Sequence, residues 1–540
     1  MKKYLAVLLG SLFIFGCDMF ISRGGEGQPC FSDSQTCSGD LICHEGRCVR
    51  EIPDAGEDGG DDEGDPTGDD ARPDAGDDGG QAGDDAGETG DDPGADRAAD
   101  GGGEDGGDES TTEPVQIYRS VGPYSGESMN GEQNGVPILF TSSHANFTYD
   151  IDDAVGVGDV IQYDTDTDHI PDALVFIHER ISAREFVVAK ADGTPMDEVI
   201  NSTTWGILRA YTSLADAVNL TENTYINDAI EDFDDINAQP NPRNLKANNV
   251  IWNIACYESS YTDDTKVLID HWITSENCYL RIFTPDGPGS EAGATQRHAG
   301  CWTNDRYQLN VVLTMDNQAA IQIGDAYVHI DGLQIGKNGD AVGRMAAGIE
   351  ALGLTVLHLS NSIIRGTQSN GYGVFLESTG ELRMWNTIIH NVAESSGDAV
   401  HLKADTVAFI YNSTIYQSHR GIYVDGSTTS QALVKNVIAV ANSSYDFDNN
   451  SSFLGDSSNN CSSDTSAPGA DSHTEVSPDD LFIQSSTDPP DLHLKDNSAG
   501  DDNGVNLAND EHIPISDDID GDVRPSVATS WDIGADENGQ

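Results

Sequence analysis

Seven side chains in the C-terminal half of the chain have the types and spacing for chemistry: Glu350, Phe375, Glu377, His401, Lys403, Tyr423 and Asp425. They sit in three short runs, Gly373-Val-Phe-Leu-Glu377, Ala399-Val-His-Leu-Lys403 and Gly421-Ile-Tyr-Val-Asp425, with an earlier copy at Gly348-Ile-Glu350-Ala351. Strand alternation turns Val374, Leu376, Val400, Leu402, Ile422 and Val424 inward and the seven outward. Aromatic rings beside carboxylates and cations suit an oligosaccharide groove, which makes Glu350, Phe375, His401, Lys403, Tyr423 and Asp425 candidate ligand-binding residues. Lys403 or His401 could serve as a general base, with Glu377 and Asp425 as an acid–base or metal pair, so the catalytic candidates are Lys403, His401 and Glu377. The same pattern is equally that of a solvated strand face with cross-rung Glu377–Lys403–Asp425 pairs. Arg365, His390 and Tyr416 form a second outward column with the same two readings.

A second constellation is Asp164-Thr-Asp166-Thr-Asp168-His-Ile-Pro-Asp172. Carboxylates at alternate positions can converge on one calcium ion, which takes six to eight hard oxygens. The spacing resembles the first half of EF-hand-like and thrombospondin type 3 loops, although His169 stands where the sharp turn takes glycine and Val175 where the distal glutamate belongs. An acidic hairpin loop is the other reading.

The outward column needs a scaffold, and the sequence supplies one by repetition. Ser360-Asn361-Ser362-Ile363-Ile364 returns as Trp385-Asn386-Thr387-Ile388-Ile389, Tyr411-Asn412-Ser413-Thr414-Ile415 and Lys435-Asn436-Val437-Ile438-Ala439. A period of about 25 residues signals a stacked array. Two and four residues before each asparagine stand Leu359, Met384, Ile410 and Val434, and Leu357, Leu382, Ala408 and Ala432, all apolar. Each asparagine suits a tight αL corner between two strands, and its amide can bond the same amide one rung away. Three short strands per turn, stacked in register, resemble the right-handed parallel β-helix family that includes pectate lyases. Residues 201–540 also resemble uncharacterised bacterial β-helix repeat proteins, down to the ending Asp518-Ile-Asp-Gly-Asp-Val-Arg524-Pro525 and Trp531-Asp-Ile-Gly-Ala-Asp-Glu537. That ending reads as a cap over the last apolar rung, and the helically spaced Tyr211–Val218 as a cap over the first. No lyase motif of paired Asp and Arg ligands is recognisable.

The remainder concerns delivery. Lys2-Lys3, an apolar run from Tyr4 to Phe15 and Gly16-Cys17 make a secretory signal over 1–16. Ile14-Phe15-Gly16-Cys17 resembles the lipobox of bacterial lipoproteins, which implies lipidation of Cys17, a membrane anchor and display in the cell envelope, at the outer membrane or cell surface. Within 17–50, Cys30, Cys37, Cys43 and Cys48 crowd into a stretch too poor in apolar residues for a core, so two disulfides would hold it. The pattern resembles small Dickkopf-like cysteine-rich modules. Which cysteines pair, and the state of Cys256, Cys278, Cys301 and Cys461, does not follow from spacing.

Residues 51–113 hold 25 acidic and 2 basic residues and no aromatic, the composition of a disordered, self-repelling tether. From 114 to 200, alternating runs such as Val160–Tyr163 and Ala173–Ile177 read as a small β-domain, a barrel or sandwich. A formal net charge of −66 opposes nucleic acid and anionic lipid headgroups as partners. The expectation is a monomeric, mainly β protein that binds an extracellular carbohydrate or other ligand. The alternatives are a polysaccharide lyase or glycoside hydrolase, and a structural envelope protein.

Overall fold

The structure is a computed structural model. It describes residues 41–44, 47–50, 113–122, 129, 133–166, 168–196, 199–286, 290–315, 317–339, 346–366, 370–392, 396–448, 452–526 and 531–538. The signal segment, Cys17, Cys30, Cys37 and the acidic stretch up to 112 lie outside the described residues. In the N-terminal unit the backbones of Leu41–His44 and Arg47–Arg50 form an antiparallel hairpin in which Cys43 is the register partner of Cys48. The disulfides expected among the four cysteines of that segment lie outside what is described. The other four, Cys256, Cys278, Cys301 and Cys461, are free thiols.

The unit from Glu113 onward is a parallel β-solenoid of about seven turns, spanning residues 252–462, with 4% helix in the protein. Three sheets run along it. The first stacks Val250–Cys256, Leu280–Phe283, Val328–Asp331, Thr355–Ser360 and Gly380–Trp385 on the opening halves of Val407–Tyr416 and Gln431–Val440. The second stacks Gln308–Val312, Gln334–Asn338, Ile363–Gly366 and Ile388–His390 on the closing halves of those two long strands, and ends at Cys461–Ser462. The third stacks Val267–Ile269, Ala319–Ile323, Ala347–Ala351, Asn370–Leu376, Ser396–Leu402, Arg420–Val424 and Tyr445–Asp448.

The core is the expected one. Leu357, Leu382, Ala408 and Ala432, and Leu359, Met384, Ile410 and Val434, are all fully buried in one continuous cluster with Val374, Val400 and Ile422. Stacking is what buries them, since a single turn has no second layer to cover its apolar side. Asn361, Asn386, Asn412 and Asn436 adopt φ of 46°, 46°, 42° and 56°, the left-handed corner that asparagine tolerates. Asn386 Nδ2 donates to Asn361 Oδ1 at 3.0 Å, and Asn436 Nδ2 to Asn412 Oδ1 at 2.9 Å. One turn earlier Gly332 (φ 79°) takes the corner, and Asn361 Nδ2 reaches down to Asp331 Oδ1 at 2.8 Å.

At the N-terminal end, helix Leu214–Asn219 is capped by Ser213, whose Oγ accepts from Asp216 N at 3.0 Å. It inserts Leu214, Ala217 and Val218 into the solenoid core. Strand Val115–Val121, expected to open the small β-domain, instead pairs in parallel with Val250–Cys256 over seven residues. The β-domain is therefore inserted between this strand and the rest of the solenoid. It is a closed antiparallel barrel of six strands, whose last, Ile200–Leu208, runs past residue 200. Arg119 pins the junction. It is fully buried, forms an ion pair with Asp234, and stacks 3.7 Å from the centre of the Phe176 ring of the barrel.

The ending does more than close the last rung. Leu481, Phe482, Leu492, Leu494, Ile519 and Ile533 pack against Ile363, Ile388, Tyr416 and Ile438 on the outside of the second sheet. Leu507, Ile513, Ile515 and Trp531 pack against Phe409, Tyr411 and Leu433 outside the first. The segment thus lies along the asparagine corner. Asn436 Nδ2 donates to Val505 O (2.8 Å), and Asn386 Nδ2 to Asp517 O (3.0 Å). Arg524, completely buried, ties the segment together through Glu537 Oε2 at 2.7 Å.

Candidate functional site

The outer face of the third sheet carries the chemistry-bearing column in register. Gln322, Glu350, Phe375, His401, Tyr423 and Asp448 are successive Cα partners. A second outward column stands beside it: Ala347, Tyr372, Asp398, Arg420 and Tyr445. Strict alternation would turn positions three apart to opposite faces. Here the register breaks at Gly348, Gly373, Ala399 and Gly421, which are skipped in every pairing, so residues three apart share a face. The small residues are required by close packing: a Cβ on Gly373 would lie 2.5 Å from Ala399 O, and one on Gly421 2.2 Å from Asp446 O. Sequence reasoning missed Tyr372, Asp398, Arg420 and Tyr445 for this reason. The signal available was the recurrence of Gly or Ala two positions before each outward residue.

The two columns interlock. His401 Nδ1 faces Asp398 Oδ2 at 2.6 Å. Arg420 grips the fully buried Asp398 through Nε and, at 2.9 Å, through Nη2; its Nη1 reaches Asp448 Oδ2 at 3.0 Å. The Arg420 guanidinium lies 3.6 Å from the centre of the Tyr423 ring. His401 makes edge contacts with Tyr372, Phe375 and Tyr423 at 4.9–5.1 Å between ring centres. Phe375 and Glu350 are buried (1% and 2% exposed), so they stabilise the face more than they offer a surface. Glu350 accepts from Gln322 Nε2 at 2.7 Å, and burial raises its pKa.

Accessible groups lie along the rim and at the C-terminal end of this face. Lys403 and Glu377 are each 40% exposed, with Nζ 3.7 Å from Oε1. Asp425 is half-buried, and hydrogen bonds from Ser427 hold its carboxyl below the usual range. Tyr445 is exposed and Tyr423 half-exposed, on either side of Arg420. Rings, a guanidinium, an ammonium and carboxylates there can stack on and hydrogen-bond a polyhydroxylated ligand. Asp398 fixes the His401 ring as an orienting carboxylate would fix a general base, but His401 is buried among the Tyr372, Phe375 and Tyr423 rings, and its Nε2, which has no hydrogen-bond partner, does not reach solvent.

The other expected residues are placed as follows. Asp164, Asp166 and Asp168 converge, with carboxylate oxygens within 4.8 Å of one another, on the barrel loop between Val160–Tyr163 and Ala173–Arg180. They also bond the loop's own backbone: Asp164 accepts from Asp166 N and His169 N, both at 2.9 Å. His169 takes φ 70°, so the sharp turn forms without glycine. Asp172 turns aside to Thr165, accepting from its N at 2.8 Å and its Oγ1 at 2.7 Å. Arg365, His390 and Tyr416 are in register but lie under the C-terminal segment. Arg365 sits 3.8 Å from the Trp302 ring centre, Tyr416 Oη donates to Ser485 O, and burial lowers His390 to about 3, leaving it neutral. A polar cleft of about 300 Å³ lined by Tyr261, Asn304, Arg306 and Gln308 had no sequence signal, because its walls come from the 259–262 loop and from the start of strand Gln308–Val312 with the loop before it.

No protein-family model matches the chain, and no curated protein matches it.

Proposed function

We propose that the protein is a lipid-anchored, surface-displayed β-helix that binds an extracellular glycan at the Tyr423–Tyr445 end of the third sheet. The observation that carries this reading is the pair of accessible tyrosines flanking Arg420, with Lys403 and Asp425 on the adjoining rim. The net charge of −66 favours neutral or amine-bearing sugars over polyanions. The anchor is Cys17, and the acidic stretch is the stand-off that presents the solenoid.

The test is a glycan array followed by calorimetric titration of the best neutral oligosaccharide into the purified protein. Tyr445→Ala and Lys403→Ala should each weaken binding about tenfold or more, since a stacked ring or charged hydrogen bond contributes about 1.5 kcal/mol or more. Undiminished affinity in both variants would remove the site. An array with no ligand would favour the structural envelope role. Metabolic fatty-acid labelling that survives Cys17→Ser would remove the anchor.

The Asp398–His401 pair favours a second reading, a lyase or hydrolase with His401 as base. Release of unsaturated or reducing ends from polysaccharide, abolished by His401→Ala, would establish it.

A further inference from the structure

Cys301 belongs to the solenoid, and Asp491 and His493 to the C-terminal segment 190 and 192 positions later, yet their ligand atoms lie within 4.8 Å of one another. The local structure explains how. Asp491–Leu494 is a short strand in which Leu492 and Leu494 face the buried cluster and Asp491 and His493 face away on one side. The loop carrying Cys301 is held over that strand by its neighbour Trp302, which is buried in the same cluster as Leu492 and Leu494. Gly300 permits the approach. It has φ 63°, and a Cβ there would lie 2.5 Å from His493 Nε2.

We infer that Cys301 Sγ, His493 Nδ1 and an Asp491 carboxylate oxygen form a site for a divalent transition metal, zinc being the best match, with the fourth position open. Cys301 Sγ is 3.6 Å from His493 Nδ1 and 3.6 Å from Asp491 Oδ1. Zinc bonds of about 2.3 Å to sulfur and 2.0–2.1 Å to nitrogen or oxygen, at a tetrahedral angle, require sulfur–nitrogen and sulfur–oxygen edges of about 3.6 Å. The third edge, Nδ1 to Asp491 Oδ1, is 2.6 Å because a hydrogen bond closes it; exchanging that proton for a metal opens it by about 0.7 Å. One thiolate, one imidazole and one carboxylate suit zinc and its neighbours rather than calcium or magnesium.

The surroundings fit as well. Asp520 Oδ2 lies 3.7 Å from His493 Nε2, the nitrogen left over when Nδ1 binds metal. That places Asp520 as the carboxylate that orients a metal-bound histidine. Asp520 Oδ1 is buried without a hydrogen-bond partner, and Asp536 stands within the same 4.8 Å reach. Metal uptake displaces the proton that closes the Asp491–His493 hydrogen bond.

The experiment uses Co²⁺, whose tetrahedral thiolate complexes have intense visible bands and a near-ultraviolet sulfur-to-cobalt band. The full protein, carrying Cys30→Ser, Cys37→Ser, Cys43→Ser and Cys48→Ser so that no second thiolate cluster is exposed and kept reduced with a reductant that is not a thiol, should bind one Co²⁺ with both signatures, and Zn²⁺ should displace it. Cys301→Ser should abolish the sulfur band, and Cys461→Ser should leave it intact. Asp520→Asn should keep the band and weaken binding roughly 10- to 100-fold. Should Cys301→Ser fold poorly, His493→Gln with Cys301 intact supplies the same reading, loss of the tetrahedral visible bands. Absence of a sulfur band in this parent protein, or its persistence in Cys301→Ser, overturns the assignment.

Discussion

The asparagine corner and the outer face of the third sheet are made by the same repeat, and they are finished in opposite ways. Outside the corner the chain presents Ile363, Ile388, Ile438, Phe409 and Leu433, which a solenoid cannot leave in water. The C-terminal segment lies over them with its own Leu, Ile, Phe and Trp side chains. On the third sheet the outward residues are charged or aromatic, and the hydrogen bonds and ion pairs described for them run within that sheet, as in Asp398–His401–Arg420–Asp448. The apolar cluster there likewise contains strand residues of the sheet alone. The contrast teaches that the choice of outward side chain on each rung decides which face becomes interior and which stays available to a partner.

Four measurements would break or sharpen that contrast. The largest effect is expected from Arg524→Ala, which leaves Glu537 buried without its partner. It should destabilise the protein by about 3–5 kcal/mol in denaturant unfolding. A change below about 1 kcal/mol would mean that the segment is an ornament rather than part of the core. Next is Asn386→Ala at the corner. It forces alanine into αL geometry, leaves Asn361 Oδ1 without its donor and leaves Asp517 O with Arg524 Nε alone, at about 2–3 kcal/mol. Asn386→Gly, which keeps the backbone freedom, should recover about 1 kcal/mol of that loss.

The third is pH. Burial raises Asp517 to about 6 and Asp532 to about 7. An unfolded aspartate ionises near the usual 3.8, so this contribution is fully present below that value and is lost as pH rises through 6 and 7. Hydrogen exchange corrected for intrinsic rate should show residues 505–535 opening more readily at pH 7.5 than at pH 5. Asp425 on the third sheet is shifted the other way by Ser427, so its contribution is present at neutral pH and lost only in acid below 3.8. Matching trends in the two regions would contradict the contrast. The smallest effect is Lys403→Ala. With both partners 40% exposed, the Glu377 pair should contribute less than about 1 kcal/mol to stability while the substitution weakens glycan binding.

What was legible in the sequence follows the same division. The corner could be read because one short pattern recurs and asparagine has a specific backbone reason to be there. Four residues of one type at one spacing, all with φ near 50°, are the outcome. The inward Leu, Met, Ile and Val columns could be read because strand alternation is local. The cover could not, because Leu507, Ile513, Ile515, Ile519 and Trp531 follow no period and look like loop until their partners, more than 70 positions away, are in place. The pairing of Val115–Val121 with Val250–Cys256 was hidden for the same reason, as were Cys301 and His493. On the third sheet the outward column was legible and its companion was not. The backbone break at Gly373, Ala399 and Gly421 replaces a period of two by a step of three.

Strand Val115–Val121 has a mechanical consequence. Any tension carried along the chain from residue 113 enters the solenoid through this strand, not through the barrel that follows it in sequence. Seven paired residues and the Arg119–Asp234 clasp would bear the load together. The barrel, joined on the far side of that clasp, is spared the pull. Under the proposed tether, the protein could be dragged by whatever it holds while its outermost rung acts as the buckle.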